Sequence, residues 1–295
     1  MSNPATKAAF PAPLPAQWQD WIATNVVRGC SDADLLDVMR EQGFEPAYAS
    51  VAISVVRAMT VRVRAGVPGL LEGARADRLP AAMAGDAEST VSLLGEPARI
   101  VFSLHEPNVA LLEGMLSDSE GDELIALAAG RLERSEVVDR DTGRFEVSGV
   151  RTSEGTHFVR GEYPVVDRLE RRVAALTGRP VEHGEPLQIL RYRVGGEYLP
   201  HHDYFDPGEP GTPTLMAQGG QRIATLVLYL NDVPAGGETA FPEIDLVVRP
   251  RRGAAVYFDY LNQAGLLDAR LLHAGRPVRR GEKWIATKWI RQDRY

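Results

Sequence analysis

Cysteine is almost missing from this chain: Cys30 is the only one in 295 residues. An intrachain disulfide is therefore excluded, and so is a zinc cluster built on thiolates. Long apolar runs are missing too. No stretch approaches the roughly 18 residues that a membrane span requires, so no membrane partner is expected. Basic charge is not in excess. With 33 Lys and Arg against 40 Asp and Glu the net charge is −7, which favours solubility and argues against nucleic acid as a partner. Met1 to Gln17 is rich in Ala and Pro and carries no apolar signal core, so secretion is not expected and a reducing cytoplasm is.

An apolar fraction of 44% is that of an ordinary folded protein, and the length suits one large domain or two modest ones. Residues 1–16 hold four prolines and read as a loose tail. Trp18 to about Ala82 reads as helical. Ser31-Asp32-Ala33-Asp34 looks like an N-cap followed by first-turn acids, Leu35, Leu36, Val38 and Met39 give an apolar stripe, and Gly43 is a stop. A further apolar segment, Ala47 to Val63, follows Pro46. Texture changes near Pro97, and Arg99 to Leu104 reads as a short strand. Ser117-Asp118-Ser119-Glu120 is a capping-box pattern, with Leu124, Ile125, Leu127 and Ala128 as the buried face of the helix it opens. A second helix is expected over Pro164 to Leu176, ending at Gly178. Beyond it the strand candidates are Pro186–Val194, Tyr198–Asp203, Ile223–Asn231, Glu238–Phe241, Leu246–Val248, Ala254–Asp259 and Trp284–Arg291. Short strands separated by Gly-, Pro- and Asp-rich turns suggest a sandwich or jelly-roll barrel.

Tyr198-Leu199-Pro200-His201-His202-Asp203 carries the chemistry. On an extended strand alternate side chains share a face, so His201 and Asp203 can enter a barrel mouth together while His202 points the other way. His273, in Leu271-Leu272-His273-Ala274-Gly275, would come from a distant strand that the barrel makes a neighbour. Two histidines and one carboxylate are the ligand set of a non-haem Fe(II) oxygenase, which leaves a face of the metal open for O2 and a co-substrate. Ligand type alone also suits Mn, Co, Ni or Zn. Ten residues after His273 comes Lys283, opening Lys283-Trp284-Ile285-Ala286-Thr287-Lys288-Trp289-Ile290-Arg291. If this is a strand, Lys283, Ile285, Thr287, Trp289 and Arg291 share one face. An ammonium deep in a barrel needs an anion, and the distal carboxylate of 2-oxoglutarate is a suitable one.

From about Asn108 to the end, the chain resembles the catalytic domain of prolyl 4-hydroxylases, a branch of the 2-oxoglutarate/Fe(II) dioxygenases. Six blocks in family order carry the resemblance. They are Arg151–Thr156, Leu187–Tyr192, Gly195–Phe205, Gly220–Thr225 with Tyr229–Val233, Gly236–Pro242, and His273 through Lys283 to Trp289. The resemblance implies a mostly β fold with flanking helices, a double-stranded β-helix (jelly-roll) over residues 98–295, preceded by a small helical domain over 1–97. It implies Fe(II) held by His201, Asp203 and His273, and 2-oxoglutarate held by Lys283 and Tyr192 with Thr287 as a neighbour. Arg151, Ser153, Glu185, Tyr198, Arg222 and Trp289 match positions around a peptide groove. The expected partner is a proline-containing peptide or protein, and the expected reaction is prolyl hydroxylation, with 2-oxoglutarate decarboxylated to succinate and ascorbate keeping the iron ferrous.

The chain departs from the family pattern at two places: Arg291 stands where members often carry His, and Gly121 where the early helix often has Cys. Asp203 is retained, whereas halogenating relatives lack that carboxylate, so hydroxylation is the expected outcome. Two alternatives stand beside this reading. One is the same chemistry on another residue or a free amino acid; the other, of a different class, is a metal- or peptide-binding barrel without turnover. The Gly- and Pro-rich segment Asp206 to Gly220 reads as a lid and suits a peptide substrate. For residues 1–97 a packing or dimerisation role is weighed ahead of peptide docking.

Overall fold

The computed structural model describes residues 15–27, 30–46, 49–50, 52–53, 90–105, 107–138, 145–147, 150–261 and 266–295. Most of the expected tail and almost all of the apolar segment 47–63 lie outside them. The described residues fall into two compact units, Met1–Val67 with Asp206–Gly208, and Pro68–Phe205 with Glu209–Tyr295. The sequence places the division after residue 97. Residues 90–93 pair with residues 96–99, so a strand ahead of that boundary belongs to the sheet that follows.

The first unit is helical where it is described. Helices span Ala16–Val27 and Asp32–Glu41. Ser31 caps the second: its hydroxyl accepts from the Asp34 amide, and the Asp34 carboxylate accepts from the Ser31 amide in return. Gly43, at φ +87°, follows the helix end in the left-handed conformation that glycine takes without strain. Ile22, Leu35, Met39, Ala49 and Ile53 form a small core, and Trp18 packs edge-on against Trp21 and Phe44.

The second unit is built on strands. β1 (Thr90–Leu93), β2 (Glu96–His105) and β3 (Asn108–Glu113) run as a meander. After the helix Asp118–Ala129 come β4 (Glu133–Arg134), the ribbon of β5 (Glu136–Val138) and β6 (Phe145–Val147), and β7 (Glu154–Phe158). The helix Pro164–Thr177 leads to β8 (Leu187–Tyr192) and β9 (Tyr198–His201). Then follow β10 (Arg222–Tyr229), β11 (Ala235–Gly236), β12 (Thr239–Phe241), β13 (Leu246–Val248), β14 (Ala255–Asp259), β15 (His273–Gly275), β16 (Val278–Arg280) and β17 (Lys283–Arg291).

Nine of these strands form one antiparallel sheet, in the order β1-β2-β3-β14-β10-β17-β8-β7-β4. A second sheet runs β13-β12-β15-β9. One hydrophobic core joins the two. Tyr192, Val227, Tyr229, Val256 and Phe258 from the large sheet meet Phe241 and Val248 from the small one, and Phe241 stands edge-on to Phe258 at 5.2 Å. This is the expected jelly roll. The helices cover the outer face of the large sheet: Lys288 of β17 reaches across to Glu170 on the helix Pro164–Thr177. Both helices end as their sequences predict, with a capping box at Ser117 and Glu120, and Gly178 at φ +68°.

Every residue of β17 is buried, because the strand has a neighbour on both edges and a layer on both faces. Its alternation sorts chemistry by side. Lys283, Ile285, Thr287 and Trp289 turn toward the interior between the sheets, while Lys288 turns toward the helices.

Candidate metal centre

β9 and β15 are hydrogen-bonded neighbours in the small sheet, and their register sets His201 directly opposite His273. The strand expected over Tyr198–Asp203 ends two residues early, at His201. Asp203 therefore enters the site from the turn beyond the strand. Three contacts hold it there. Its backbone amide donates to the Tyr260 hydroxyl at 3.2 Å, its carbonyl accepts from Arg222 Nη1 at 3.3 Å, and Thr225 Oγ1 donates to Oδ2 at 2.8 Å.

One ligand atom from each of His201, Asp203 and His273 lies within 4.8 Å of the others. His201 Nε2 is 3.5 Å from Asp203 Oδ1, and His273 Nε2 is 3.6 Å from Oδ2. The tautomers follow from the other ring nitrogens. His201 Nδ1 faces the Leu199 carbonyl at 2.9 Å and His273 Nδ1 faces the Leu271 carbonyl at 3.2 Å. A carbonyl can only accept, so each Nδ1 carries the proton and each Nε2 turns a lone pair toward the carboxylate. His202, as alternation predicts, points elsewhere: its Nε2 lies 3.0 Å from the Ala269 carbonyl.

Charge states agree with this arrangement. Burial pushes the His273 pKa down to about 3, helped by His201, so the ring is neutral. Burial alone would raise Asp203, but His273, His201 and Arg222 outweigh it and hold the carboxyl well below its usual range. Two imidazoles and one carboxylate, all buried or nearly so and with both Nε2 atoms turned inward, fit a divalent metal and leave its remaining positions open.

Lys283 is 3% exposed and makes no salt bridge among the described residues. It stands opposite Tyr192 in the β17–β8 register, and its Nζ lies 5.5 Å and 5.8 Å from the ring centroids of Tyr192 and Tyr229. Burial pushes its pKa down to about 8, against a partial counter-pull from Glu238. A Cβ placed on Gly275 would be 3.9 Å from this Nζ. The ammonium therefore borders the metal-ligand strand two residues beyond His273. A buried cation without a carboxylate partner, next to a metal site, fits a co-substrate that brings its own anionic end.

Of the expected groove residues, Tyr198 and Arg151 lie beside His201, and Arg222 reaches the Asp203 carbonyl. Tyr198 stacks on His201 at 3.6 Å, and Arg151 lies over the Tyr198 ring at 4.9 Å. Burial pushes the Tyr198 hydroxyl up to about 12. Arg222 stacks on Trp289 at 3.9 Å and donates to both oxygens of Glu185, at 2.6 and 2.8 Å. Burial works against the charge of Glu185, but Arg222 and Arg291 hold its carboxyl below the usual range. The indole nitrogen of Trp289 is buried without a hydrogen-bond partner among the described residues. Ser153 is fully buried, its hydroxyl donating to Ser135 Oγ at 2.9 Å, which makes it part of the supporting wall. Thr287 lies in the interior between Gln188 and Val227. Thr225, Tyr260 and Gln188 were not singled out from the sequence. Only the alternation of β10, which puts Thr225 in line with Val227 and Tyr229, could have signalled the first.

Residues 187–291 match the model of the 2OG-Fe(II) oxygenase superfamily. Among named proteins the chain is 39% identical over 228 residues to prolyl 4-hydroxylase 2 of Arabidopsis thaliana, covering 70% of this chain and 75% of the relative. It is 41% identical over 221 residues to the probable prolyl 4-hydroxylase 6 of the same plant, covering 68% and 75%. Among solved structures it is similar to the viral collagen prolyl hydroxylase of Paramecium bursaria Chlorella virus-1 in complex with 2-oxoglutarate. There the identity is 30%, the coverage 62% of this chain and 95% of that one, and the TM-score 0.48.

Proposed function

Because the chain belongs to the prolyl 4-hydroxylase family of 2-oxoglutarate/Fe(II)-dependent dioxygenases, we propose that it hydroxylates prolyl residues of a peptide or protein at ring position 4. The observation that carries this is the pairing of two neighbouring features: a His201–Asp203–His273 donor set with both Nε2 atoms turned inward, and beside it the Lys283 ammonium, which has no salt bridge among the described residues.

His201, Asp203 and His273 would hold Fe(II), and Lys283 with Tyr192 would bind the distal carboxylate of 2-oxoglutarate, with Thr287 farther along the same face of β17. Iron held there would supply the activation of O2 that couples decarboxylation of 2-oxoglutarate to succinate and CO2 with transfer of the other oxygen atom to the substrate carbon. The residues of the chain do the positioning. Thr225 and the Tyr260 hydroxyl fix Asp203, and the carbonyls of Leu199 and Leu271 fix the imidazoles. Tyr198 and Trp289 would be the aromatic rings beside which a pyrrolidine ring packs, and Arg151 would turn to a peptide carbonyl there. Ascorbate is the proposed reductant that keeps the iron ferrous.

The test is succinate formation with a proline-rich peptide, together with mass spectrometry of that peptide. Succinate dependent on Fe(II), 2-oxoglutarate and peptide, with one oxygen atom gained on proline, is the expected result. Succinate without any oxygen on proline in any peptide offered would move the substrate to another residue or a free amino acid. No succinate and no iron affinity would leave only a binding barrel.

A further inference from the structure

Three strands of the large sheet place His157, Gln188 and Thr287 in one row, since β7 pairs His157 with Gln188 and β17 pairs Thr287 with the same residue. Within that row runs a hydrogen-bond chain. Arg151 Nη2 donates to Gln188 Oε1 at 2.7 Å, and Gln188 Nε2 lies 3.0 Å from His157 Nε2. The donor inventory allows one reading. A guanidinium cannot accept, so Gln188 must turn its oxygen to Arg151 and its NH2 to His157. His157 Nε2 must then be the acceptor, which makes the ring neutral with its proton on Nδ1.

The far end of the chain is the metal centre. Arg151 lies over the ring of Tyr198, which stacks on the ligand His201. We propose that His157 and Gln188 are positioning residues for Arg151 in the substrate groove, and that the Arg151–Gln188 bond persists only while His157 is neutral. The proposal rests on the reading of Arg151 as a groove residue. Protonated His157 presents a donor at Nε2, which Gln188 can meet only by turning its amide over. Its NH2 then faces Arg151, and the Arg151–Gln188 hydrogen bond is lost. The two states exclude each other.

The surroundings of His157 favour the neutral state at ordinary pH. Gln188 and Arg151 are buried, whereas His157 sits at the exposed rim. Arg151, Arg222 and Glu185 are the charges that face the His157 ring; Arg131 reaches only its carbonyl, at 3.2 Å. Desolvation of the ring, with Arg151 and Arg222, lowers the His157 pKa, and Glu185 opposes them. Acid therefore switches the chain off, and alkali leaves it on.

Two measurements test this. The first is the peptide KM between pH 5.5 and 7.5, with the KM for 2-oxoglutarate followed in parallel. The wild type should show a rise of roughly fivefold to tenfold in peptide KM toward acid, the size expected for one lost charge-assisted hydrogen bond. His157→Gln keeps an acceptor but cannot titrate, so the ratio of acid to neutral KM should fall to near one. Gln188→Glu accepts from both neighbours at once and should flatten the ratio in the same way. An acid rise that survives His157→Gln, or an equal rise in the KM for 2-oxoglutarate, overturns the proposal. The second measurement needs no substrate, so it stands even if no peptide is turned over. The ring 15N shifts of His157 in the zinc-loaded full chain should report the Nδ1–H tautomer at pH 7.5, with the Gln188 side-chain amide moving at the same midpoint as the ring titrates. An Nε2–H tautomer, or a Gln188 amide that ignores the titration, refutes the chain.

Discussion

Arg291 donates to Glu185 Oε1 at 3.0 Å, on the same carboxylate that Arg222 grips with two hydrogen bonds. One buried anion thus neutralises two buried cations. Arg291 also donates to the carbonyls of Leu215 and Gln218, and its guanidinium lies over Phe205 at 4.8 Å. The residue that departs from the family pattern is consumed in holding the chain around the helix Thr212–Met216 against β17. Glu185→Gln should destabilise the fold by about 3 kcal/mol, because it leaves two buried cations facing a neutral amide. Denaturant unfolding measures this. The double variant Glu185→Gln with Arg291→Gln should recover part of the loss, and strict additivity would show that the two residues do not act together.

Thr225 offers a test that leaves every metal ligand in place. Its hydroxyl is the side-chain donor that steadies Asp203 Oδ2. Thr225→Val keeps the shape and removes the donor. Fe(II) affinity should fall about tenfold to hundredfold, read by metal titration, with the thermal transition little changed. Unaltered affinity would mean that the backbone contacts of Asp203 suffice to orient it.

Lys283 should impose an alkaline limb on co-substrate binding. Its pKa is lowered to about 8, so the cation is present below that pH and is lost above it. The KM for 2-oxoglutarate should rise roughly fivefold between pH 8 and pH 9. Lys283→Arg keeps its charge throughout and should abolish the rise. Lys283→Ala should raise the KM about a hundredfold below pH 8, where the carboxylate then enters a desolvated site with no counter-ion, and the gap to the wild type should narrow above it.

The strand that carries His201 was legible in the sequence because it rests on local periodicity, whereas no local pattern marked the short strand of His273. Alternation separates His201 from His202, and β17 reads as one strand from Lys283 to Arg291. Asp203 shows the limit of that rule. The strand stops before it, and its place is set by Tyr260 and Arg222, residues distant in sequence whose approach no local pattern encodes. The same holds for Ser153. Family order places it at the groove, while its burial and its bond to Ser135 appear only when β4 and β7 are paired. β1 and β3 escaped notice because their apolar residues are short runs in mixed surroundings, and their strand character comes from the sheet they complete.

Gln221 should govern the segment that follows Asp203. It is fully buried, its Oε1 accepts from the Phe205 amide at 2.8 Å, and its Nε2 donates to the Phe205 carbonyl at 2.7 Å. Gln221→Ala removes both bonds and should cost about 2 kcal/mol. Hydrogen exchange of residues 209–220 should accelerate while that of β10 beyond Arg222 stays slow. Equal acceleration in both would place the effect in the sheet.

The amide of Gln221 therefore works as a zip across the neck of a loop. The neck is closed by side-chain chemistry on the barrel side, and lengthening the loop beyond it adds little closure cost, since that cost grows only with the logarithm of length. The segment between Phe205 and Gln221 can be treated as an exchangeable cassette. A replacement that keeps Gln221 at its base and offers two carbonyls to Arg291 should leave the ligand set undisturbed, so that substrate preference can be re-engineered without rebuilding the oxidising centre.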